Sequence, residues 1–242
     1  MTDSKGVALV TGAGHRLGRA FAIALAGRGY EVAVHYNTSG DAARTTVEII
    51  SGTGGTALAF QSDLTKPDGP QTLIDAVTRD MGRLQVLVNS AAVMERTPLG
   101  EISVEDWDRI FALNLRAPFF LAQAASGVMT DGSSIINISD LAAYETWPTY
   151  IPHAISKAGI VRMTESLARV LGPGIRVNAI APGAVLVPDD WDAEQSERFA
   201  ESTPLRRNGD ASDAVGAMLY LLDAEFVTGE TIVVDGGRRI RK

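Results

Sequence analysis

The sequence contains no cysteine and only three histidines among its 242 residues. The absence of cysteine excludes disulfide bonds, thiolate catalysis and cysteine-ligated zinc, and it is typical of a cytoplasmic protein. The histidines, His15, His35 and His153, are far apart and lack the short spacing of metal-binding motifs. We therefore predict no metal site.

Basic clusters and long apolar runs are also missing. The net charge is −7, and no basic run is longer than the Arg238–Arg239 and Arg241–Lys242 pairs of the C-terminal tail, so nucleic acid is not an expected partner. No stretch of about eighteen apolar residues is present, and the chain begins without the apolar core of a signal peptide. We expect a cytoplasmic protein that does not span a membrane and that acts on a small molecule.

Short β-branched runs alternate with helical patterns along the whole chain. The predicted strands are Val7–Val10, Glu31–Tyr36, Ala57–Gln61, Val86–Asn89, Ser134–Ser139, Arg176–Ala181 and Thr231–Val234. The predicted helices are Leu17–Gly27, Asp41–Ile50, Gln71–Met81, Val104–Ser126 and His153–Leu171. Strands that are apolar on both faces indicate a doubly wound parallel α/β sheet of about seven strands with helices on both faces. The length favours a single domain over residues 1–242.

A glycine-rich turn follows the first predicted strand and opens the first predicted helix. It reads TGAGHRLG over residues 11–18. Gly12 suits a tight turn, Gly18 lets the helix approach closely, and backbone N–H groups there can face a pyrophosphate. We expect dinucleotide contacts from Gly12, His15, Arg16 and Leu17.

The segment after the second predicted strand has no acidic residue. A site for NAD would offer Asp or Glu there to the ribose 2′-hydroxyl. The chain instead has hydroxyl and amide donors that suit a 2′-phosphate, with Arg16 adding positive charge. NADPH is therefore favoured over NADH, with contacts from Tyr36, Asn37, Thr38 and Ser39, although the segment could also be an ordinary polar loop.

Together the motifs resemble the classical short-chain dehydrogenase/reductase family, whose fold is of the Rossmann type, over nearly the whole chain. The family pattern TGxxxGxG resembles residues 11–18, and its adenine-contacting Asp, its catalytic Asn and Lys and its PG turn resemble Asp63, Asn114, Lys157 and Pro182-Gly183. The resemblance implies an oxidoreductase that assembles as a homodimer or homotetramer. It also implies cofactor contacts from Asp63, Leu64, Ser90, Ala91, Lys157, Pro182, Gly183 and Val185.

Within that family the chain is most similar to pteridine reductases and dihydromonapterin reductases. Those proteins carry Arg in place of the middle glycine of the first turn, as at Arg16, and an HY segment like His35-Tyr36. They also replace the catalytic Ser with Asp, as at Asp140, and the basic C-terminal tail is similar. This resemblance implies reduction of a C=N bond in a pteridine-like substrate.

Three residues depart from the pattern of these families. Ser90 replaces the second Asn of an NNAG-like turn, and Met94 stands where pterin-binding members place an aromatic residue against the substrate. His153 stands four residues before Lys157, where the family places its catalytic tyrosine. An ordinary carbonyl or 3-oxoacyl reductase, or a catalytically impaired NADP-binding protein, therefore remains an alternative.

The catalytic set implied by the resemblance is Asn114, Asp140, His153 and Lys157. His153 and Lys157 are at i and i+4, so both project from one face of a helix. The lysine cation disfavours an imidazolium at His153, whereas the Asp140 carboxylate favours it. The proton donor is left open among His153, Asp140 and Tyr150, which we place in the loop just before the helix that contains Pro152.

The substrate side is predicted from the segment after the PG turn. Residues 184–208 are expected to form a substrate lid with a helix over residues 193–202, and Trp191 could cover the crevice or pack elsewhere on the surface. The expected substrate contacts are Arg16, Met94, Tyr150 and Trp191. Small residues suited to a close contact between subunits are Ala122, Ala124, Ala125, Ala158, Gly159 and Ala168.

Overall fold

The computed structural model describes residues 4–183, 185 and 192–240. Seven strands in this part form one parallel sheet in the order β3-β2-β1-β4-β5-β6-β7. They are β1 Val7–Val10, β2 Glu31–Tyr36, β3 Ala57–Gln61, β4 Leu84–Asn89, β5 Ser133–Ile138, β6 Ile175–Pro182 and β7 Thr231–Val234. The doubly wound α/β fold predicted from the alternating pattern is confirmed.

Helices connect the strands and cover both faces of the sheet. They are α1 Arg16–Gly27, α2 Gly40–Gly52, α3 Gly69–Met81, α4 Val104–Phe111, α5 Ala117–Ser126, α6 Ile151–Leu171, α7 Ala193–Glu201 and α8 Ala211–Asp223. A π-helical segment, Ala112–Arg116, joins α4 to α5, and two 3₁₀ turns cover Leu141–Ala143 and Arg238–Ile240. No helix in the described part of the chain is long and apolar enough to cross a membrane.

Two apolar layers hold the helices on the sheet. One layer packs residues of α3, α5 and α6 against the sheet, and the other packs residues of α1, α2 and α8 against its opposite face. Both layers consist of side chains almost completely withdrawn from solvent, which is the main favourable contribution to folding. Ala122, Ala125 and Ala168 belong to the first layer and are buried within the single chain, and their place at a subunit contact stays a prediction.

The structure differs from the sequence prediction at two elements. Helix α8 was not predicted, although a parallel connection from β6 to β7 requires a crossover of this kind. The predicted helix over residues 104–126 is interrupted by the π-helical segment. Such segments insert one extra residue per turn and are frequent at functional sites.

The order of the strands reverses between β1 and β4. To one side of this point the chain continues through β2 and β3, and to the other through β5, β6 and β7. In sheets of this type ligands bind outside the carboxyl ends of the strands at that reversal. The loops after β1 and β4 therefore line the candidate site.

Candidate active site

The glycine-rich turn after β1 has the tight geometry that its sequence predicts. Gly12 has a φ of +66°, and a Cβ added there would lie 3.0 Å from the Ala91 Cα. A Cβ at Gly18 would lie 2.3 Å from the Gly12 carbonyl oxygen, so only glycine allows α1 to approach the turn. Arg16, the first residue of α1, has a φ of +46°, an uncommon value for a residue with a side chain.

Thr11 joins this turn to the loop after β4. Its hydroxyl oxygen accepts hydrogen bonds from the backbone N–H groups of Ser90, at 2.9 Å, and Ala91, at 3.0 Å. The two loops flank the reversal of strand order, so one buried side chain holds both edges of the crevice. Ser90, which replaces an Asn in the family pattern, is held through its backbone.

The start of α1 fits the diphosphate of a dinucleotide. His15 at the N-cap makes no capping hydrogen bond through its side chain, and the first turn, which lies within the described residues, contains no acidic residue. An uncapped helix N-terminus attracts anions because its first N–H groups point outward and the helix dipole is positive there. His15 and Arg16 are exposed at this end of the crevice, and Leu17 is partly buried.

The residues predicted to contact the adenosine half of a dinucleotide lie at the carboxyl ends of β2 and β3. Tyr36 is partly buried, whereas Asn37, Thr38 and Ser39 are exposed after β2. Asp63 follows β3, and hydrogen bonds from the Thr65 hydroxyl and N–H hold the pKa of its carboxyl below the usual range. The next residue, Leu64, is buried.

Pro182, Gly183 and Val185 lie at the carboxyl end of β6, on the other side of the crevice. A Cβ at Gly183 would lie 2.6 Å from the Asp235 Cβ, so the backbone there is pressed against the loop after β7. Val185 is buried. The predicted cofactor residues therefore line the carboxyl ends of β1, β2, β3, β4 and β6.

Asn114 lies in the π-helical segment and is 1% exposed. Its amide oxygen accepts from the Val93 N–H at 2.8 Å, and its amide nitrogen donates to the Val93 carbonyl at 2.9 Å. The same nitrogen donates to the Ser156 hydroxyl at 3.2 Å. Asn114 thus fixes the loop after β4 against α6.

His153 stands on the first turn of α6 and is 2% exposed. Its Nδ1 lies 3.2 Å from the Val93 carbonyl oxygen and 3.4 Å from the Asn114 amide nitrogen. Because both amide hydrogens of Asn114 have shorter contacts, we assign the Nδ1 proton to the bond with the Val93 carbonyl. The other ring nitrogen, Nε2, is buried and makes no hydrogen bond within the described part of the chain.

Asp140 faces this ring nitrogen. Its Oδ2 lies 3.7 Å from the His153 Nε2, while its Oδ1 accepts from the Ala142 N–H at 2.8 Å. The carboxylate therefore caps the 3₁₀ turn with one oxygen and presents the other to the histidine. A proton on Nε2 would lie between the imidazole and this carboxylate.

Lys157 lies one helical turn after His153 and is 4% exposed. Its Nζ donates to the Ile138 carbonyl at 2.8 Å, and the Ser139 hydroxyl donates to the Lys157 carbonyl at 2.8 Å. Burial lowers the pKa of the ammonium to about 8, and the nearby Asp140 carboxylate opposes part of that change. The site therefore contains a buried cation, a carboxylate and an imidazole within one pocket.

The predicted substrate residues are less closely associated with this group. Tyr150 is the N-cap residue of α6, in the loop position predicted for it, and its ring packs edge-on against Trp147 with centroids 6.1 Å apart. Met94 is 53% exposed beside the crevice. Trp191 lies outside the described residues, as do most of residues 184–191, and the predicted lid helix is α7.

Sequence reasoning missed three residues that shape the site. Thr11, His35 and Ser156 are buried and make hydrogen bonds to the loops of the crevice or to the predicted catalytic set. A histidine near the end of a largely apolar strand was the available signal for His35. No group of three or more potential metal ligands occurs in residues 4–183, 185 and 192–240.

Comparison with known proteins extends over nearly the whole chain. Residues 12–239 match the family model described as enoyl-(acyl carrier protein) reductase. The chain is 35% identical over 237 residues to a 3-oxoacyl-[acyl-carrier-protein] reductase of Synechocystis sp., with 96% of each chain covered.

Solved structures show the same similarity. A putative short-chain alcohol dehydrogenase from Sinorhizobium meliloti superposes with a TM-score of 0.92 at 34% identity, covering 99% of this chain and 98% of that one. The landomycin C-6 ketoreductase LanV with bound NADP and rabelomycin superposes with a TM-score of 0.88 at 32% identity, covering 98% of both chains. These values are high enough to assign the family as well as the fold.

Proposed function

Since the chain belongs to the classical short-chain dehydrogenase/reductase family, we propose that it is an NADPH-dependent reductase of a carbonyl group in a small molecule. The observation that carries this proposal is the buried His153 Nε2, which has no hydrogen-bond partner among the described residues and lies 3.7 Å from the Asp140 carboxylate. A buried polar atom without a partner is unfavourable unless a ligand completes it.

NADPH is the proposed cofactor because its three parts match the loops of the crevice. The start of α1 suits the diphosphate, Asp63 suits the adenine, and the segment after β2 offers donors without an acidic residue. LanV, a structural neighbour, was solved with NADP. When bound, NADPH supplies the hydride.

The residues of this chain then supply the proton. Hydride addition to a carbonyl carbon leaves an alkoxide, which needs an acid within hydrogen-bond reach. His153 delivers a proton from Nε2 to that oxygen, and the Asp140 carboxylate stabilises the charged imidazole before transfer. The Nδ1 bond to the Val93 carbonyl holds the ring in one orientation, and the Lys157 ammonium stabilises developing negative charge nearby.

A second candidate substrate is a pteridine-like ring whose C=N bond is reduced. It is favoured by Asp140, a carboxylate at the position where most members of the family carry serine, and by the exposed Arg16 at the mouth of the crevice. In that reaction Asp140 or His153 protonates a ring nitrogen. Met94, in place of an aromatic residue, favours the carbonyl substrate over this one.

The test is NADPH consumption by the purified chain with a panel of ketones, 3-oxoacyl thioesters and dihydropterins. We expect turnover of at least one ketone and faster turnover with NADPH than with NADH. Turnover of a dihydropterin alone would support the second candidate. Tight NADPH binding without turnover of any compound would contradict both and indicate a catalytically impaired binding protein.

Variants of the pocket identify the proton donor. His153→Phe should abolish turnover while NADPH still binds, whereas Ile155→Ala, at an exposed position of the same helix, should retain it. If Asp140→Asn were more damaging than His153→Phe, Asp140 would be the acid. If His153→Phe and Asp140→Asn both retained activity and Tyr150→Phe lost it, Tyr150 would be the proton donor.

We further propose that the chain assembles through the outer faces of α4, α5 and α6. An open apolar groove of about 960 Å³ runs between these helices, and the side chains of Phe119 and Phe120 beside it are about two-fifths exposed. Exposed apolar surface of this extent favours association. Phe119→Glu should lower the mass measured by light scattering, whereas Leu99→Glu, at a more exposed position outside the groove, should not. An unchanged mass in Phe119→Glu would contradict this assembly.

A further inference from the structure

His35 is a buried histidine that the proposed chemistry does not use. It lies near the end of β2, away from the catalytic helix, and is 2% exposed. Its Nδ1 lies 3.2 Å from the Gly12 backbone nitrogen, and its Nε2 lies 3.0 Å from the Ser62 carbonyl oxygen. Its own carbonyl oxygen accepts from the Ala13 N–H at 3.0 Å.

These partners define the protonation state of the ring. A backbone N–H can only donate, so Nδ1 must carry a lone pair, and a carbonyl can only accept, so Nε2 must carry the proton. The ring is therefore neutral and bonded at both nitrogens. Burial lowers its pKa to about 4, which keeps it in this form at neutral pH.

The contacts to Gly12 and Ala13 determine which way the glycine-rich turn faces. His35 accepts hydrogen bonds from two consecutive backbone N–H groups of the turn: its side chain accepts from Gly12 and its backbone carbonyl accepts from Ala13. Both N–H groups are thereby directed towards the sheet, and the start of α1 is left to face the crevice. Gly12 adopts a φ of +66° in this arrangement.

The contact to Ser62 extends the same link to the loop after β3. Ser62 directly precedes Asp63, the candidate adenine contact, and its N–H donates to the Tyr36 carbonyl at 3.1 Å. A single imidazole thus joins the loop proposed for the diphosphate to the loop proposed for the adenine. These two loops follow different strands, β1 and β3, which are not neighbours in the sheet.

We propose that His35 is a positioning residue for the dinucleotide, which sets the glycine-rich turn through its Nδ1 and aligns the turn with the adenine loop through its Nε2. This inference rests on the proposed function, because it assumes that NADPH occupies the crevice. His35 touches neither the reacting atoms nor the cofactor in this scheme. Its removal should weaken NADPH binding and leave the rate at saturating NADPH nearly unchanged.

Three variants separate the two hydrogen bonds. His35→Asn places an amide oxygen near the position of Nδ1, so it keeps an acceptor for Gly12. His35→Gln places an amide nitrogen near the position of Nε2, so it keeps only the donor to Ser62. His35→Leu keeps neither bond.

The measurements are the NADPH dissociation constant by fluorescence titration and hydrogen exchange of the peptide that covers residues 12–18. We expect His35→Asn to bind NADPH within about threefold of the wild type, and His35→Gln and His35→Leu to bind on the order of tenfold more weakly, as expected when one partly buried N–H loses its acceptor. Exchange in residues 12–18 should be faster in His35→Gln and His35→Leu alone. Should the leucine variant not fold, the comparison of the two amides carries the test.

The outcomes are distinct from those that test the reaction. Equal NADPH affinity in all variants, or rescue by Gln instead of Asn, would overturn the role of His35 and leave the proposed reduction intact. A wild type that binds NADPH but reduces nothing would overturn the reduction, while the binding series would still test His35. A wild type that fails to bind NADPH would overturn both.

Discussion

Lys157 carries a buried positive charge, and we predict that Lys157→Met stabilises the fold while abolishing turnover. Burial lowers the pKa of this ammonium from 10.5 to about 8. The difference of about 2.5 between the two pKa values means that keeping Lys157 charged lowers the free energy of unfolding by about 3 kcal/mol. Methionine removes the charge but also the bond to the Ile138 carbonyl, which offsets about 1 kcal/mol. The expected net gain near neutral pH is about 2 kcal/mol.

The pH dependence identifies the cause of the gain. The unfolded chain retains the lysine proton up to about pH 10.5, whereas the folded chain releases it near pH 8. Between these values the unfolded state binds more protons, so the stability of the wild type rises with pH in that window. Methionine does not titrate. The advantage of the variant should therefore be largest below about pH 8 and should shrink by about 2 kcal/mol by about pH 9.5.

The assay is urea unfolding followed by circular dichroism, without nucleotide, at equal protein concentration and at about pH 7 and pH 9.5. Groups that do not interact with Lys157 titrate equally in both proteins, and Asp140, which does interact with it, is ionised throughout this pH range. The difference between the two proteins therefore reports on Lys157. Lys66→Met, at an exposed lysine, is the matched control and should change stability by less than about 0.5 kcal/mol. A Lys157→Met protein no more stable than the wild type, or a difference that does not change with pH, would refute the reasoning.

Three further predictions concern the turn after β1. Gly18→Ala should lose about 3 kcal/mol of stability in thermal unfolding, because its Cβ would lie 2.3 Å from the Gly12 oxygen, whereas Gly27→Ala, with open space around it, should gain about 0.5 kcal/mol. Thr11→Val should lower the free energy of unfolding in urea by about 2 kcal/mol, since two partly buried N–H groups lose their acceptor; Thr11→Ser should be nearly neutral. Between about pH 6.5 and about pH 4 the free energy of unfolding of the wild type should fall by about 3 kcal/mol relative to that of His35→Asn. The reason is that His35 binds a proton in the unfolded chain over this range, whereas the buried imidazole of the folded chain stays neutral. Parallel acid titrations of the two proteins would contradict this last prediction.

The sequence predicted the elements with strong local signals. The predicted bounds of β1, β2, β3 and β7 are the same as those in the structure, because each strand is a β-branched or apolar run between turn residues. Helix α8 was missed because Gly216 interrupts a short apolar pattern, and its existence follows from the parallel pairing of β6 with β7. The π-helical segment has no periodicity of its own and depends on packing against α6.

The catalytic set was predicted only through the resemblance to a family. Helical spacing placed His153 and Lys157 on one face, but nothing local in the sequence connects them to Asn114 or Asp140. The structure brings these four together because α6 and the ends of β4 and β5 meet at one edge of the sheet. The contacts of Thr11 and His35 join loops distant along the chain, so periodicity and spacing gave no indication of them.

The histidine on the first turn of α6 also has a consequence for how this enzyme can evolve. Histidine and tyrosine codons differ by a single base, so a gene encoding this site is one mutational step from the tyrosine typical of the family. The buried pocket around the ring would have to accommodate only a longer side chain at the same position. Selection of a randomly mutated gene library for faster ketone reduction should therefore reach His153→Tyr readily if tyrosine is the better donor. If the tyrosine codon at position 153 is repeatedly absent from the selected clones, the imidazole is instead the group on which activity depends.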